Sequence, residues 1–120
     1  MALEPPSDTV GDVMAVDVEE GELLTLSTVH SAKGLEWHSV FVLSVADGRF
    51  PSAYSVDEDD LEEERRLFYV ACTRARENLI LSYPAVIQER SVGPVVARAS
   101  RFLADLPPLL LEHVTLIDEV

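Results

Sequence analysis

Four polar side chains near the ends of apolar runs have types that could do chemistry: His30, Lys33, Glu36 and Arg74. The planar fork of an arginine suits a phosphate, and in phosphoryl transfer an arginine stabilises the charge that develops on the transferred group. The carboxylate of Glu36 can accept hydrogen bonds from ribose hydroxyls. Three of them also have a simpler interpretation: Arg74 forms a salt bridge with one of the many acidic residues, Glu36 lies in solvent, and His30 is structural.

Three apolar runs predict the strands that position these residues, at 23–29, 40–45 and 79–83. All three runs are strongly apolar, and the run 40–45 is apolar on both faces, as parallel strands buried between helices are. We therefore expect an α/β fold with a small parallel sheet covered by helices. Open parallel sheets bind ligands beyond the carboxyl ends of their strands. His30 directly follows the first run, so its segment is a candidate contact surface.

A helix is predicted between the second and third runs, from about residue 56 or 61 to about residue 76. Ser55 followed three residues later by Glu58 has the form of a capping box, and acidic residues in the first turn suit the helix dipole. Arg65 and Arg66 are expected to pair with nearby glutamates of the same helix.

Arg74 stands out on this helix because it continues an apolar stripe. At 100° per residue it shares a face with Leu67, Val70 and Ala71. An arginine that ends such a face is costly to bury unless it meets an anion. The helix alone leaves a phosphate contact and a salt bridge equally open.

The chain divides into three segments by composition. Residues 1–20 are rich in acidic residues and turn formers and poor in large apolar side chains, which is typical of a linker or an arm. Residues 21–107 contain all three predicted strands, the long helix and a short helix at 100–106 that a proline pair ends. Residues 108–120 form a C-terminal tail.

The composition excludes several classes of site. Lys33 is the only lysine and is followed by Gly34 and Leu35, so the chain has no phosphate-binding P-loop. The single cysteine, Cys72, excludes an internal disulfide and a cysteine-rich metal site, and no metal ligands are predicted. A net charge of −13 argues against independent nucleic-acid binding. No apolar run is long enough to span a membrane, so we expect a cytoplasmic protein with no membrane partner.

Two longer motifs contain these residues. Residues 24–37 end in the sequence TVHSAKGLEW, and residues 62–75 read EEERRLFYVACTRA. They resemble the fifth and sixth motifs of the UvrD/Rep (PcrA-like) superfamily one DNA helicases. The turn at 47–51 and the segment at 100–107 are also similar to that family, so the resemblance covers roughly residues 22–107. The departures are small: Trp37 stands where phenylalanine is commoner, and Cys72 where a β-branched residue often occurs.

The resemblance implies the C-terminal part of the second RecA-like motor domain of an ATP-dependent DNA helicase. It implies that Glu36 contacts the nucleotide ribose and that Arg74 is catalytic, reaching the γ-phosphate of ATP across a domain cleft. It also implies that His30 contacts single-stranded DNA and that Lys33 supports the same loop. ATP with Mg²⁺ would bind only in the intact parent protein, because the P-loop and the magnesium-binding carboxylates are absent here. We therefore predict that the 120-residue chain alone is inactive.

Two alternatives to the helicase interpretation remain at this stage. The chain could belong to a helicase–nuclease subunit, which shares these motifs. It could also be a free-standing, inactive domain that binds protein or DNA without hydrolysis. The reading frame on both sides of the segment separates these alternatives.

Overall fold

The computed structural model describes residues 14–19 and 22–117. Six short strands, three α-helices and one 3₁₀ helix follow one another in this part of the chain. They are β1 (Met14–Glu19), β2 (Glu22–Leu26), α1 (Val29–Ala32), β3 (Trp37–Val42), α2 (Glu58–Cys72), β4 (Ala75–Leu81), β5 (Val86–Glu89), β6 (Gly93–Val96), α3 (Arg101–Ala104) and the 3₁₀ helix Pro108–Leu110.

A parallel pair, β3 and β4, forms the part of the sheet that was expected. The two strands run side by side from Trp37 opposite Ala75 to Val42 opposite Leu81, and α2 connects them. Such a strand–helix–strand crossover is the usual route between parallel neighbours. The chain is thus a small α/β unit with a short parallel sheet and helices, which confirms the fold class at this level.

The first predicted strand does not join that parallel pair, and this expectation was wrong. β2 instead pairs antiparallel with β1, from Met14 opposite Leu26 to Glu19 opposite Glu22, in a separate two-stranded sheet. The strand β1 lies within the segment 1–20 that was predicted as a linker or arm. Residues 1–13 of that segment are outside the described part of the chain.

The helix α2 begins between the two predicted starts, at Glu58, and ends earlier than the sequence indicated. Its N-cap is Asp57, whose side chain accepts from the backbone N–H of Asp60 at 2.8 Å. The capping box predicted at Ser55 was therefore wrong, because the Ser55 hydroxyl donates to the Glu64 carboxylate instead. The helix ends at Cys72, so Arg74 lies beyond its last turn.

The hydrophobic core lies between α2, the end of β3 and α3. Three phenylalanines meet there: Phe50 and Phe68 have ring centroids 5.6 Å apart, and Phe68 and Phe102 are 5.4 Å apart. Val45 and Phe102 are 0% and 1% exposed. The core thus attaches α3 and the turn containing Phe50 to the helix that leads to Arg74.

The chain after β4 contains a hairpin that the sequence analysis did not predict. β5 and β6 pair antiparallel, from Val86 opposite Val96 to Glu89 opposite Gly93. The predicted helix at 100–106 is shorter, covering Arg101–Ala104 with Ser100 as its N-cap. Within residues 14–19 and 22–117, no helix is long and apolar enough to cross a membrane.

Candidate functional site

The loop before β3 fixes the position of Glu36. Thr28 caps α1 by accepting from the backbone N–H of Ser31 at 3.2 Å, which stops β2 and starts the helical turn. Gly34 then adopts a φ of +85°, a conformation that glycine reaches without a steric penalty. The chain reverses there, so Glu36 is exposed immediately before β3.

Arg74 is held by three hydrogen bonds from its guanidinium group to uncharged acceptors. Nε donates to the carbonyl of Val70 at 3.1 Å, Nη1 to the carbonyl of Leu35 at 3.1 Å, and Nη2 to the hydroxyl of Thr73 at 3.2 Å. None of the ion pairs found among the described residues includes Arg74. The salt-bridge interpretation of Arg74 is therefore wrong for this structure.

Glu36 and Arg74 lie next to each other although they are far apart in sequence. Arg74 bonds to both residues that flank Glu36, since its Nη1 reaches the Leu35 carbonyl and its own carbonyl accepts from the Trp37 N–H at 2.9 Å. These two contacts place Glu36 beside Arg74. The structure thus brings Glu36 and Arg74 together at the amino ends of the parallel strands β3 and β4.

His30 and Lys33 face a different neighbour, the outer side of α2. A groove of about 520 Å³ separates α1 from α2, and both residues line it together with Tyr69, whose side chain is 69% exposed. Arg65 and Arg66 also line the groove, and they pair with Glu62 at 2.6 Å and Glu63 at 3.3 Å, respectively. The expected pairing of these arginines is confirmed, so Lys33 and His30 are the basic groups of the groove outside those helix pairs.

Two residues with structural importance at this site were missed by the sequence analysis. The carboxylate of Glu64 accepts from the Ser52 N–H at 2.9 and 3.0 Å and from the Ser55 hydroxyl. Thr73 donates its hydroxyl to the Tyr69 carbonyl at 2.9 Å and accepts from Arg74. The role of Thr73 could have been recognised from the sequence, because it directly precedes Arg74. The contact of Glu64 could not, because it depends on a turn that folds back onto α2.

Cys72 lies half-buried at the end of α2, close to Phe68 and Phe102. Burial raises the pKa of its thiol to about 11, because the thiolate loses solvation there. A thiol that stays protonated at neutral pH is a weak nucleophile. Cys72 is therefore a packing residue at the end of the helix.

The arrangement can donate hydrogen bonds from Arg74 and accept them at Glu36. A guanidinium has five N–H donors, so the three contacts of Arg74 leave one N–H on each of Nη1 and Nη2. Among residues 14–19 and 22–117, no group of three or more His, Cys, Asp or Glu side chains could hold a metal ion. The Arg74 guanidinium can therefore donate hydrogen bonds to an anion, and the Glu36 carboxylate can accept them from hydroxyl groups.

Comparisons with known proteins agree on one family. The model of the UvrD-like helicase C-terminal domain matches residues 13–85, which include Glu36 and Arg74. DNA helicase II of Escherichia coli (strain K12) is 44% identical over 110 residues, covering 85% of this chain and 15% of that protein. ATP-dependent DNA helicase PcrA of Leuconostoc citreum is 40% identical over 119 residues, covering 92% of this chain and 16% of that protein. ATP-dependent DNA helicase Rep of Buchnera aphidicola subsp. Acyrthosiphon pisum is 36% identical over 102 residues, again 16% of that protein. The chain thus spans about one sixth of the length of these curated relatives.

Proposed function

The chain belongs to the UvrD-like helicase C-terminal domain family, and we propose that it forms part of an ATP-dependent DNA helicase. In this proposal it is the C-terminal part of the second RecA-like motor domain. It contributes the ribose- and γ-phosphate-contacting wall of the ATP cleft and part of the single-stranded DNA track. The relatives named above are DNA helicases and two of them are described as ATP-dependent, which supports the reaction class.

The observation that carries the proposal is the proximity of Glu36 and Arg74. Two hydrogen bonds hold these residues together where β3 and β4 begin: Arg74 Nη1 donates to the Leu35 carbonyl, and the Trp37 N–H donates to the Arg74 carbonyl. The exposed carboxylate of Glu36 accepts hydrogen bonds from the ribose, which orients the nucleotide. The free N–H groups of Arg74 donate to the γ-phosphate oxygens and stabilise the charge that develops during hydrolysis.

ATP with Mg²⁺ supplies the phosphoryl group that water attacks, and the metal neutralises its charge. This chain holds only the sugar and the terminal phosphate, since its single lysine is not in a P-loop. The residues that cradle the β-phosphate and bind magnesium belong to the rest of the parent protein. The role of this chain is therefore to contact the ribose and the terminal phosphate from one side of the cleft.

His30 and Lys33 act on the other ligand, single-stranded DNA. Both line the groove between α1 and α2, on the segment that also carries Glu36. Lys33 neutralises a backbone phosphate and His30 donates a hydrogen bond to the strand. Because the two ligands contact opposite ends of one short segment, nucleotide binding and DNA binding are linked through residues 30–36.

The test of the ATP wall uses the full-length protein that contains this chain. Arg74→Lys keeps the charge but loses the planar fork. Arginine fingers contribute roughly 10³ to 10⁵ in rate, so we expect DNA-stimulated turnover to fall by roughly 10² or more with the KM for ATP little changed. Arg76→Lys is the matched control, because Arg76 is exposed on β4 and has no proposed role. An Arg74→Lys protein that folds and turns over at the normal rate would refute the finger role.

Glu36 is tested with nucleotide analogues rather than by turnover alone. If its carboxylate accepts from the ribose, the wild-type protein prefers ATP to the analogue that lacks the hydroxyl, either 2′-deoxy-ATP or 3′-deoxy-ATP. We expect Glu36→Ala to reduce that preference by about tenfold, in line with the loss of one hydrogen bond to a charged group. An unchanged ratio of kcat/KM values for both analogues would exclude the ribose contact.

A further inference from the structure

The C-terminal end of α2 is closed by the side chain of Thr73. Thr73 is the C-cap residue, and its backbone N–H donates to the Tyr69 carbonyl at 3.0 Å. Its hydroxyl donates to two carbonyl oxygens, that of Tyr69 at 2.9 Å and that of Val70 at 3.1 Å. The last carbonyls of a helix lack partners within the helix. The hydroxyl of Thr73 is therefore held against two carbonyls of the last helical turn, which fixes its position.

The same hydroxyl is an acceptor for Arg74. A hydroxyl has one donor and two lone pairs, so a proton directed at the helix leaves the oxygen free to accept from Nη2 of Arg74 at 3.2 Å. Nε of Arg74 bonds to the Val70 carbonyl, which Thr73 also contacts. One edge of the guanidinium is thus held on two acceptors at the helix end, Val70 O and Thr73 Oγ1.

The consequence of this arrangement is a fixed direction for the remaining N–H groups. The guanidinium is planar, so its orientation is set once Nε and Nη2 are held. Nη1 then reaches Leu35 at 3.1 Å, in the loop that contains Glu36. The two carbonyls at the end of α2 hold the Thr73 hydroxyl at this site, and a β-branched side chain has few χ1 rotamers.

We propose that Thr73 is the positioning residue of Arg74: its hydroxyl, held by the helix end, orients the guanidinium toward the terminal phosphate and the Glu36 loop. This inference rests on the proposed function, because it gives the orientation a catalytic purpose. Thr73 itself does not contact the nucleotide. Its removal should therefore affect the rate through Arg74 and leave ATP affinity almost unchanged.

The experiment compares Thr73→Val, which removes the hydroxyl at nearly constant shape, with Thr73→Ser, which keeps it. In the full-length protein we expect Thr73→Val to lower turnover roughly tenfold with KM within about twofold, as expected for one lost hydrogen bond to a charged group. Thr73→Ser should remain within about threefold of wild type. Thr115→Val is the matched control, since Thr115 is exposed and outside the regular elements. If Thr73→Val does not fold, Thr73→Ala carries the same prediction.

A double-mutant cycle separates positioning from general stability. If Thr73 acts only through Arg74, Thr73→Val should change turnover little in the Arg74→Lys background, so the two effects are not additive. Additive effects would overturn the proposal, because they would show that Thr73 acts independently of Arg74. A Thr73→Ser protein as slow as Thr73→Val would also overturn it, since shape and not the hydroxyl would then matter.

Hydrogen–deuterium exchange without nucleotide provides a readout independent of activity. Loss of the hydroxyl should loosen the contact between Arg74 and Leu35, so peptides covering residues 29–37 should exchange faster in Thr73→Val than in Thr73→Ser. Equal exchange in the two proteins would contradict the inference. Normal turnover in Arg74→Lys would instead refute the proposed function, whereas slow Arg74→Lys with normal Thr73→Val would refute only the role of Thr73.

Discussion

The Glu64 carboxylate joins the turn after β3 to the middle of α2. It accepts from the Ser52 N–H through both oxygens, at 2.9 and 3.0 Å, and from the Ser55 hydroxyl. This turn also carries Phe50, whose ring packs on Phe68 and Phe102. We predict that Glu64→Ala destabilises the chain more than any other substitution of a glutamate in α2, because it separates the turn from the helix.

The size of the effect follows from the two donors that lose their acceptor. A hydrogen bond to a charged group contributes about 1.5–3 kcal/mol, and the half-exposed position of Glu64 lowers that contribution through solvent screening. We therefore expect a loss of about 2–4 kcal/mol in the free energy of unfolding. For a domain of this size 1 kcal/mol shifts the melting temperature by about 3–5 °C, so Tm should fall by roughly 10 °C.

Thermal unfolding of the 120-residue chain, followed by circular dichroism, measures this shift. The matched control is Glu63→Ala, because Glu63 is the neighbouring glutamate and makes one exposed pair with Arg66 at 3.3 Å, with side-chain exposures of 62% and 74%. Exposed pairs of this kind contribute about 0.3–0.5 kcal/mol, which predicts a Tm change of at most a few degrees. Equal Tm shifts for Glu64→Ala and Glu63→Ala would show that the contact between the turn and the helix does not stabilise the fold.

Three further predictions concern the core, the thiol and the isolated chain. Phe102→Ala should cost about 3–5 kcal/mol because the ring is 1% exposed among two other phenylalanines, whereas Tyr54→Ala, at 91% exposure, should leave the urea midpoint unchanged. The pKa of Cys72 is raised to about 11 from 9.0, so at pH 8 the folded chain should be alkylated roughly 100-fold more slowly than the urea-unfolded chain. Because the thiol of the unfolded chain ionises first, this group should also lower the free energy of unfolding as the pH rises from about 9 to about 11. Equal alkylation rates of the folded and unfolded chains would contradict the burial of Cys72. The isolated chain should release no phosphate from ATP and should bind single-stranded oligonucleotides no better than about 10⁻⁴ M at physiological salt, so turnover or tight binding that purifies with it would contradict the division of roles proposed here.

The sequence predicted that a side chain caps the start of α2, but it did not predict which residue. Two polar residues precede the acidic run, Ser55 and Asp57, and each has an acidic residue three positions later that completes a capping pattern. The sequence cannot rank them, because both satisfy the same local rule. Tertiary structure decides the matter: the Ser55 hydroxyl is used by Glu64, so Asp57 caps the helix.

The antiparallel hairpins illustrate a second limit of sequence reasoning. An apolar run such as the one containing β2 predicts a strand but not its neighbour, because the same alternation suits parallel and antiparallel partners. β2 pairs with β1, whose sequence of six residues contains two acidic positions. The strand was unpredictable from its own composition, since its pairing with β2 supplies the hydrogen bonds that define it.

The sequence by itself determined the residue types of the candidate site, the presence of a parallel pair with a helical crossover, and the family. Motif residues lie close together along the chain, so their spacing identifies them without any fold. Only the tertiary structure decided what Arg74 contacts, because its partners lie both at the end of α2 and 39 residues earlier, at Leu35. A helix stripe places a side chain on a face, but the hydrogen bonds of a guanidinium depend on which carbonyls the folded chain brings within about 3 Å of it.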